Sequence, residues 1–211
     1  MIFRKAGYAA CIIVPSIITL ETGGYIMKRA ILEHKKIFHE VNSITGSVGS
    51  VIFGGECFAG LPVAELVQDF GLNVSACNRS VEGILLAEAF ELLEACVFEL
   101  SPRKVFLNFG EADLLRQDFD RETFLADYVR LIEAIHAGCN GKVYVVSVPE
   151  NSGEAARLNA DLRVLADACG CGYVDVADSF RREKPHLRLF SELMHCMREG
   201  RISFTEDMHA V

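Results

Sequence analysis

The stretch over residues 51–62 reads V-I-F-G-G-E-C-F-A-G-L-P, and the fold can be worked out from it. Its first part is short, apolar and rich in residues that favour β-structure, so it predicts a buried strand over residues 50–53. The paired glycines Gly54 and Gly55 then end the strand in a sharp turn. A helix is expected after this turn, over about residues 62–70.

Similar apolar runs alternate with amphipathic segments along the rest of the chain. Further strands are predicted over residues 72–77, 104–109, 142–148 and 173–176, and further helices over residues 28–41, 81–100, 120–137, 151–168 and 187–197. Strands that alternate with helices of this length form parallel sheets covered on both faces. We therefore predict a three-layer αβα sandwich around a five-stranded parallel sheet in flavodoxin-like order, because right-handed crossovers leave few other topologies.

The loop after the first strand is the first place to look for a functional site. In an open parallel sheet, ligands bind in a crevice at the carboxyl ends of the strands. Glu56 and Cys57 follow the first strand directly and are therefore expected in this crevice. A carboxylate there can act in acid–base chemistry and a thiol can act as a nucleophile. The alternatives are that Glu56 is a solvated turn residue and that Cys57 is a small buried apolar group.

The composition excludes several classes of function. With 211 residues, of which 51% are hydrophobic and 24% charged, the chain has the size and apolar content of one globular domain. Its net charge of −8 comes without a long Lys/Arg cluster, which argues against a nucleic-acid partner and against binding to an anionic membrane. Small molecules and proteins remain as partners, and the oligomeric state is left open.

The 8 cysteines are scattered through predicted strands and helices and do not form a loop framework. This distribution is typical of free, often buried thiols in a reducing compartment, so we predict a cytoplasmic protein. Cys169 and Cys171 are the one close pair, and their spacing matches neither the usual zinc sites nor the usual redox motifs. We therefore predict no structural metal site at this pair. The leading interpretation of the whole chain contains no metal and no cofactor.

Residues 1–26 differ from the rest and are predicted to be an N-terminal extension of a domain over residues 27–211. Basic residues precede an apolar run over residues 6–20, which is the order found in signal peptides and short anchors. The run contains a proline and is short for a membrane span. We favour the hypothesis that residues 1–26 lie upstream of the true start and that Met27 is the first residue of the native protein. The alternative is export or anchoring through residues 1–20.

Short motifs at the predicted strand ends carry a family resemblance. They are Asn78-Arg79, residues 104–107 leading into Gly110, Asp113-Leu114, residues 144–148, Leu158-Asn159 and residues 173–175. In this αβα order they resemble the SGNH hydrolases, also called GDSL esterases or lipases. The resemblance covers residues 50–209 and is closest to the small bacterial acyl-esterase branch, in which a proline and a short helix follow the first motif, as Pro62 does here. It implies hydrolase ancestry and a small acyl or carbohydrate-type ligand.

The resemblance also implies where the catalytic nucleophile would stand. In the family, a Ser in the motif G-D-S attacks the acyl carbon, and its amide, a Gly amide and an Asn side chain hold the oxyanion. Counted back from Pro62 without a gap, G-D-S falls on Gly54-Gly55-Glu56, so Glu56 takes the nucleophile position. A shift by one residue would place Cys57 there instead.

The remaining family motifs are changed as well. Ser80 stands where the family has the Gly donor, and Ala112 stands where it has the Asn donor. The motif D-x-x-H, which supplies the base and its orienting acid, is Glu206 to His209 here. We therefore expect impaired catalysis. The catalytic positions are Glu56, Cys57, Glu206 and His209, the oxyanion positions Ser80 and Ala112, and the crevice positions Gly54, Gly55, Glu82, Gly110, Glu111 and Asp113.

Three hypotheses about function follow. The first is a pseudoenzyme, a binding module that kept the fold and lost the chemistry. The second is an active esterase that uses Cys57 with His209 and Glu206. The third is a carboxylate-lined site for a divalent cation or a cationic ligand, and its members would be Glu56, Glu82, Glu111, Glu206 and His209.

Overall fold

The computed structural model describes residues 20–149, 152–181 and 183–198. Five strands lie in this part of the chain: β1 (Ser50–Gly54), β2 (Ala76–Asn78), β3 (Lys104–Asn108), β4 (Lys142–Val146) and β5 (Gly172–Val174). All neighbouring strands are parallel, and their order is β2-β1-β3-β4-β5. β1 and β3 are direct neighbours, with Ile52 opposite Phe106. The predicted five-stranded parallel sheet in flavodoxin-like order is confirmed.

Helices cover both faces of the sheet. The described residues contain α1 (Leu20–Thr45), α2 (Val63–Asp69), α3 (Leu86–Cys96), α4 (Glu111–Leu114), α5 (Arg121–Gly138), α6 (Gly153–Ala168) and α7 (Pro185–Met197), with short 3-10 helices at Phe98–Leu100 and Ser179–Arg181. Successive strand residues point to opposite faces. Val51 and Phe53 therefore pack in the core with α1, α3, α5 and α6, while Ile52 packs on the other face with α2 and α7. The predicted three-layer αβα arrangement is confirmed.

The helix predicted over residues 81–100 is too long at its start, because α3 begins only at Leu86. Gly83 has φ +71, a left-handed conformation that a continuous helix does not contain. The carboxylate of Glu88 accepts a hydrogen bond from the backbone N–H of Leu85 at 2.9 Å, which satisfies a free donor at the start of the helix. Residues 81–85 therefore form a loop.

The second strand also differs from its prediction over residues 72–77, since β2 contains three residues and begins at Ala76. The residues before it belong to the exit from α2. Gly71 has φ +61, and the N–H of Leu72 donates to the carbonyl of Val67 at 2.9 Å. This is the glycine-containing ending of a helix, which uses the residues that the apolar pattern assigned to the strand.

The N-terminal part of the described chain is helical across the predicted domain boundary. Helix α1 (Leu20–Thr45) contains Met27, and residues 1–19 lie outside the described residues. The boundary at residue 26 therefore stays a prediction. Among the described helices, none combines the length and the apolar content that a membrane span requires.

Candidate functional site

The carboxyl end of β1 lies tightly against β3. A Cβ atom on Gly54 would be 2.3 Å from the carbonyl oxygen of Asn108, so only glycine fits at this position. The next N–H, that of Gly55, donates to the same carbonyl at 2.9 Å. A Cβ atom on Gly55 would be 3.8 Å from its nearest neighbour, Ile84, which is an ordinary contact. The two adjacent glycines therefore differ: the first is required by packing and the second is not.

The first crevice loop, residues 55–61, leaves the sheet at this point. Glu56 is exposed, whereas Cys57 is only 4% exposed. The side chain of Asn78 closes the loop, because its Nδ2 donates to the carbonyl of Phe58 at 2.7 Å and to that of Leu61 at 3.1 Å. The amide of Asn78 thus determines where the turn of the loop lies.

The second crevice loop, residues 79–85, follows β2. The N–H of Ser80 donates to Oδ1 of Asn78 at 3.0 Å, and the N–H of Val81 donates to the carbonyl of Gly54 at 2.9 Å. Asn78 therefore joins the two crevice loops. The Oγ atom of Ser80 is buried and has no hydrogen-bond partner among the described residues, while Glu82 is exposed.

The third segment of the crevice follows β3. Gly110 has φ +125, a conformation that side chains rarely adopt, and it turns the chain into α4. Glu111 and Ala112 occupy the first turn of this helix and are both half-buried. Oε2 of Glu111 is buried and finds no hydrogen-bond donor in the part of the chain that the structure describes.

The electrostatics connect the first and third segments. Burial, and then the negative charge of Glu56, raise the pKa of Glu111. Burial, with a smaller contribution from Glu111, also raises the pKa of the Cys57 thiol. A raised thiol pKa disfavours the thiolate, which is the nucleophilic form. Three predicted site residues, Glu56, Cys57 and Glu111, are thus close to one another, and the environment of Glu111 and Cys57 favours their protonated forms.

Asp113, unlike its neighbours Glu111 and Ala112 in α4, bonds to the start of another helix. It is buried, and its two carboxylate oxygens each lie 3.3 Å from the N–H of Leu86 at the start of α3. Burial raises its pKa to about 6, although this hydrogen bond acts in the opposite direction. The carboxylate of Asp113 therefore caps the start of α3 and connects α4 to α3.

The remaining predicted catalytic residues, Glu206 and His209, lie outside the described residues, so the triad stays a prediction. Within the described ranges, no group of three or more His, Cys, Asp and Glu side chains is placed to hold a metal ion. One important residue was missed at the sequence level, Asn108, whose Nδ2 donates to the carbonyl of Ser147 at 2.9 Å while its carbonyl holds Gly55. A polar residue inside the apolar run of the third strand was the available signal.

Comparison with solved structures bears on the fold. A protein from Streptococcus pneumonia, provisionally described as a platelet activating factor, aligns with a TM-score of 0.70 at 16% identity over 85% of this chain and 100% of that chain. The chain has the SGNH hydrolase fold. A GDSL-like lipase from Bacteroides thetaiotaomicron aligns with a TM-score of 0.64 at 14% identity, covering 77% of this chain and 96% of that chain.

An acetylxylan esterase from Geobacillus stearothermophilus has the same SGNH hydrolase fold, with a TM-score of 0.60 at 13% identity over 72% of this chain and 95% of that chain. No protein-family model and no curated protein matches the sequence. The likeness is therefore one of architecture, and residue roles have to be argued from the crevice itself.

Proposed function

We propose that this chain is a non-hydrolytic binding module with the SGNH hydrolase fold, whose crevice accepts a small ligand. The observation that carries the proposal is the residue pattern at the end of β1. A glutamate, Glu56, stands at the position of the family's serine, and Ala112 stands at the position of the asparagine that stabilises the oxyanion.

The packing of the two glycines supports this alignment. The glycine of the G-D-S motif corresponds to Gly54, which has no room for a side chain. The aspartate position corresponds to Gly55, where a side chain fits. In the shifted alignment, Gly55 would be the family glycine and Gly54 would stand at a position before the motif that needs no glycine. The space around each glycine therefore favours Glu56 over Cys57 as the counterpart of the nucleophile.

The chemistry of these residues supports a loss of ester hydrolysis. A carboxylate that attacked an ester would form a labile anhydride in place of the family's acyl-serine. The loss of a single oxyanion donor, as at Ala112, costs on the order of 3 kcal/mol in the transition state. Cys57 is an unsuitable substitute, because it is buried and its pKa is raised.

The test is hydrolysis of p-nitrophenyl acetate by the purified chain. We expect no turnover above the buffer rate. Turnover that disappears in Cys57→Ala would overturn the proposal in favour of a cysteine esterase. A second measurement uses the triple variant Gly55→Asp, Glu56→Ser and Ala112→Asn, with Glu56→Ser alone as its control. A gain of esterase activity in the triple variant alone would support the alignment.

The ligand is proposed from the donor and acceptor chemistry of the crevice. A buried carboxylate oxygen of Glu111 and the buried hydroxyl of Ser80 have no partner among the described residues, so each could bond to a hydroxyl group of a ligand that opens the loops on entry. The structural neighbours named as acetylxylan esterases make acetylated xylo-oligosaccharides the first compounds to try. Their binding would appear as a rise in melting temperature with ligand concentration.

A second candidate function is a cation site, and the repulsion between Glu56 and Glu111 favours it. A bound cation would relieve this repulsion. Thermal melts with Mg²⁺, Ca²⁺, Mn²⁺ and Zn²⁺ against a chelator control test this function, and Glu56→Gln should reduce any stabilisation. A flat response to all four ions would remove the candidate and leave the binding of an uncharged ligand.

We also infer a cytoplasmic location. Seven cysteines lie in the described residues, and all are free thiols: Cys57, Cys77, Cys96, Cys139, Cys169, Cys171 and Cys196. Free thiols in this number are typical of reducing compartments. Cell fractionation with an antibody to the native protein tests the location, and recovery from an exported fraction would contradict it.

A further inference from the structure

A continuous chain of polar contacts joins helix α1 to the interior. Nδ1 of His39, on α1, contacts Oε1 of Glu99. Oε2 of Glu99 accepts a hydrogen bond from Nδ2 of Asn42 at 2.8 Å, and Oδ1 of Asn42 accepts one from Nη2 of Arg79 at 2.8 Å. Asn42 and Arg79 are each only 7% exposed, so the contacts run from the surface into the core.

The inner end of this chain reaches the crevice. Nη1 of Arg79 donates to the carbonyl of Asn78 at 3.1 Å, and the guanidinium lies 5.1 Å from the ring centroid of Phe38 on α1. The side chain of Asn78 holds both crevice loops, through the N–H of Ser80 and the carbonyl of Phe58. A single side chain, that of Arg79, thus contacts α1 and the residue that positions both loops.

The guanidinium of Arg79 is buried, so its charge is costly to the stability of the folded state unless other groups compensate it. Among the described residues, its guanidinium has no direct carboxylate partner, and its Nε atom is buried without a hydrogen-bond partner. A buried charge without full compensation is destabilising. The carboxylate of Glu99 approaches it only through Asn42. The guanidinium therefore depends on α1 for its hydrogen bond to Asn42 and for the face of Phe38.

We propose that Arg79 is a positioning residue that couples the docking of α1 to the shape of the crevice. When α1 is docked, Asn42 and Phe38 hold the guanidinium, the guanidinium bonds to the backbone carbonyl of Asn78, and the side chain of Asn78 holds the two loops. Release of α1 removes this support and loosens both loops, which makes α1 a regulatory element for whatever binds there. The coupling rests on the fold and its contacts, so it is independent of the function proposed above.

The test is hydrogen exchange, followed by mass spectrometry, on the full chain carrying Asn42→Ala. Exchange in loops reports local opening. We expect amide exchange over residues 55–61 and 78–81 to become about tenfold faster or more. The matched control is Asn159→Ala, because Asn159 is similarly buried, at 5% exposure, and also bonds to the backbone. This control should leave the two crevice loops at the wild-type exchange rate.

A second readout is the alkylation rate of Cys57, quantified for its own peptide. Cys57 lies in the first crevice loop at 4% exposure, so opening of the loop should speed its reaction with iodoacetamide. We expect faster alkylation in Asn42→Ala and the wild-type rate in Asn159→Ala. If Asn42→Ala does not fold, Glu99→Gln decides, because Glu99 is partly exposed and the substitution removes its charge and one of its two acceptor oxygens while keeping its size. Wild-type loop rates in the folded variant, or equal acceleration in Asn159→Ala, would overturn the proposal.

Discussion

The carboxyl ends of β4 and β5 and the crevice at the ends of β1, β2 and β3 both contain buried polar groups, but they use them differently. Beyond β4, Oδ1 and Nδ2 of Asn159 bond to the N–H and the carbonyl of Val148, each at 2.9 Å. In the crevice, Oγ of Ser80 and Oε2 of Glu111 have no such partner among the described residues. An unsatisfied buried polar atom destabilises a protein by about 1–3 kcal/mol.

The difference separates structural polar groups from available ones. Oγ of Ser147 accepts a hydrogen bond from the N–H of Val176 at 2.8 Å and donates one to Oδ1 of Asp175 at 3.3 Å. The hydroxyl of Ser147 is therefore satisfied by hydrogen bonds within the protein. Ser80 follows the end of β2, and its hydroxyl has no hydrogen-bond partner among the described residues. Polar groups without partners could bond to a ligand that opens the loops, and this is the basis on which binding is proposed at the crevice.

Gly54 should give the largest effect, and it tests how rigid the crevice is. In Gly54→Ala, a Cβ atom would meet the backbone of Asn108 at 2.3 Å, and β1 and β3 would have to separate. We expect a loss of about 3 kcal/mol or more in the free energy of unfolding, measured with urea. Gly55→Ala is the matched control and should stay within about 0.5 kcal/mol of the wild type. Equal stability of the two variants would contradict this packing.

Asn159 tests the structural side of the comparison. Asn159→Ala leaves the N–H and the carbonyl of Val148 without their partners in a buried position. We expect a loss of about 3 kcal/mol in the free energy of unfolding, because two buried backbone groups lose their hydrogen bonds. The measurement is urea denaturation at neutral pH. A loss below about 1 kcal/mol would mean that water replaces the amide there.

Asp113 adds a pH dependence at the border of the crevice. Its pKa is raised from 3.8 to about 6, so the folded state keeps the proton up to a higher pH than the unfolded state does. The stability that Asp113 contributes is full below pH 3.8 and is lost as the pH rises through about 6. Asp113→Asn keeps an acceptor for Leu86 and removes the charge. We expect this variant to be more stable than the wild type by about 2 kcal/mol at pH 7.

Urea denaturation of the wild type and of Asp113→Asn at about pH 3.5 and about pH 7 measures this difference, and the measurement at the lower pH is its control. The advantage of Asp113→Asn should nearly vanish at the lower pH, where the carboxyl is mostly protonated in both states. Asp120, the N-cap of α5, has the opposite shift, because its hydrogen bonds from Thr123 lower its pKa. Asp120→Asn should therefore be the less stable variant at neutral pH, with the difference shrinking in acid. The same pH trend in both variants would contradict the assignments.

Ser80 should give the smallest effect and bears most directly on the comparison. Ser80→Ala removes a buried hydroxyl that has no partner among the described residues. We expect the free energy of unfolding to stay unchanged or to rise by up to about 1 kcal/mol. A clear loss of stability would show that the hydroxyl is satisfied in the folded chain, and the distinction between the two regions would then disappear.

The order of the sheet and the two-sided helix cover could be predicted because apolar periodicity is local. Where prediction failed, a glycine in a left-handed conformation changed the path of the chain, as Gly83 does before α3 and Gly71 does after α2. Sequence patterns show that a glycine is present but not which φ it adopts. The proximity of two crevice residues follows from the predicted sheet, since the sequence places Glu56 and Glu111 at strand ends and the structure brings them close together. Their functional roles stay predictions.

The sequence by itself determined the alternation of strands and helices and the strand ends at which the crevice was expected. These properties follow from residue type and spacing. The assignment of Glu56 and Ala112 to the family's serine and asparagine positions stays a prediction. Only the tertiary structure decided that Cys57 is buried, that the backbone of Asn108 leaves room only for glycine at position 54, and that the hydroxyl of Ser80 has no partner among the described residues. Burial, close approach and hydrogen-bond satisfaction depend on residues far apart in the chain, so they exist only after the strands and loops have packed together.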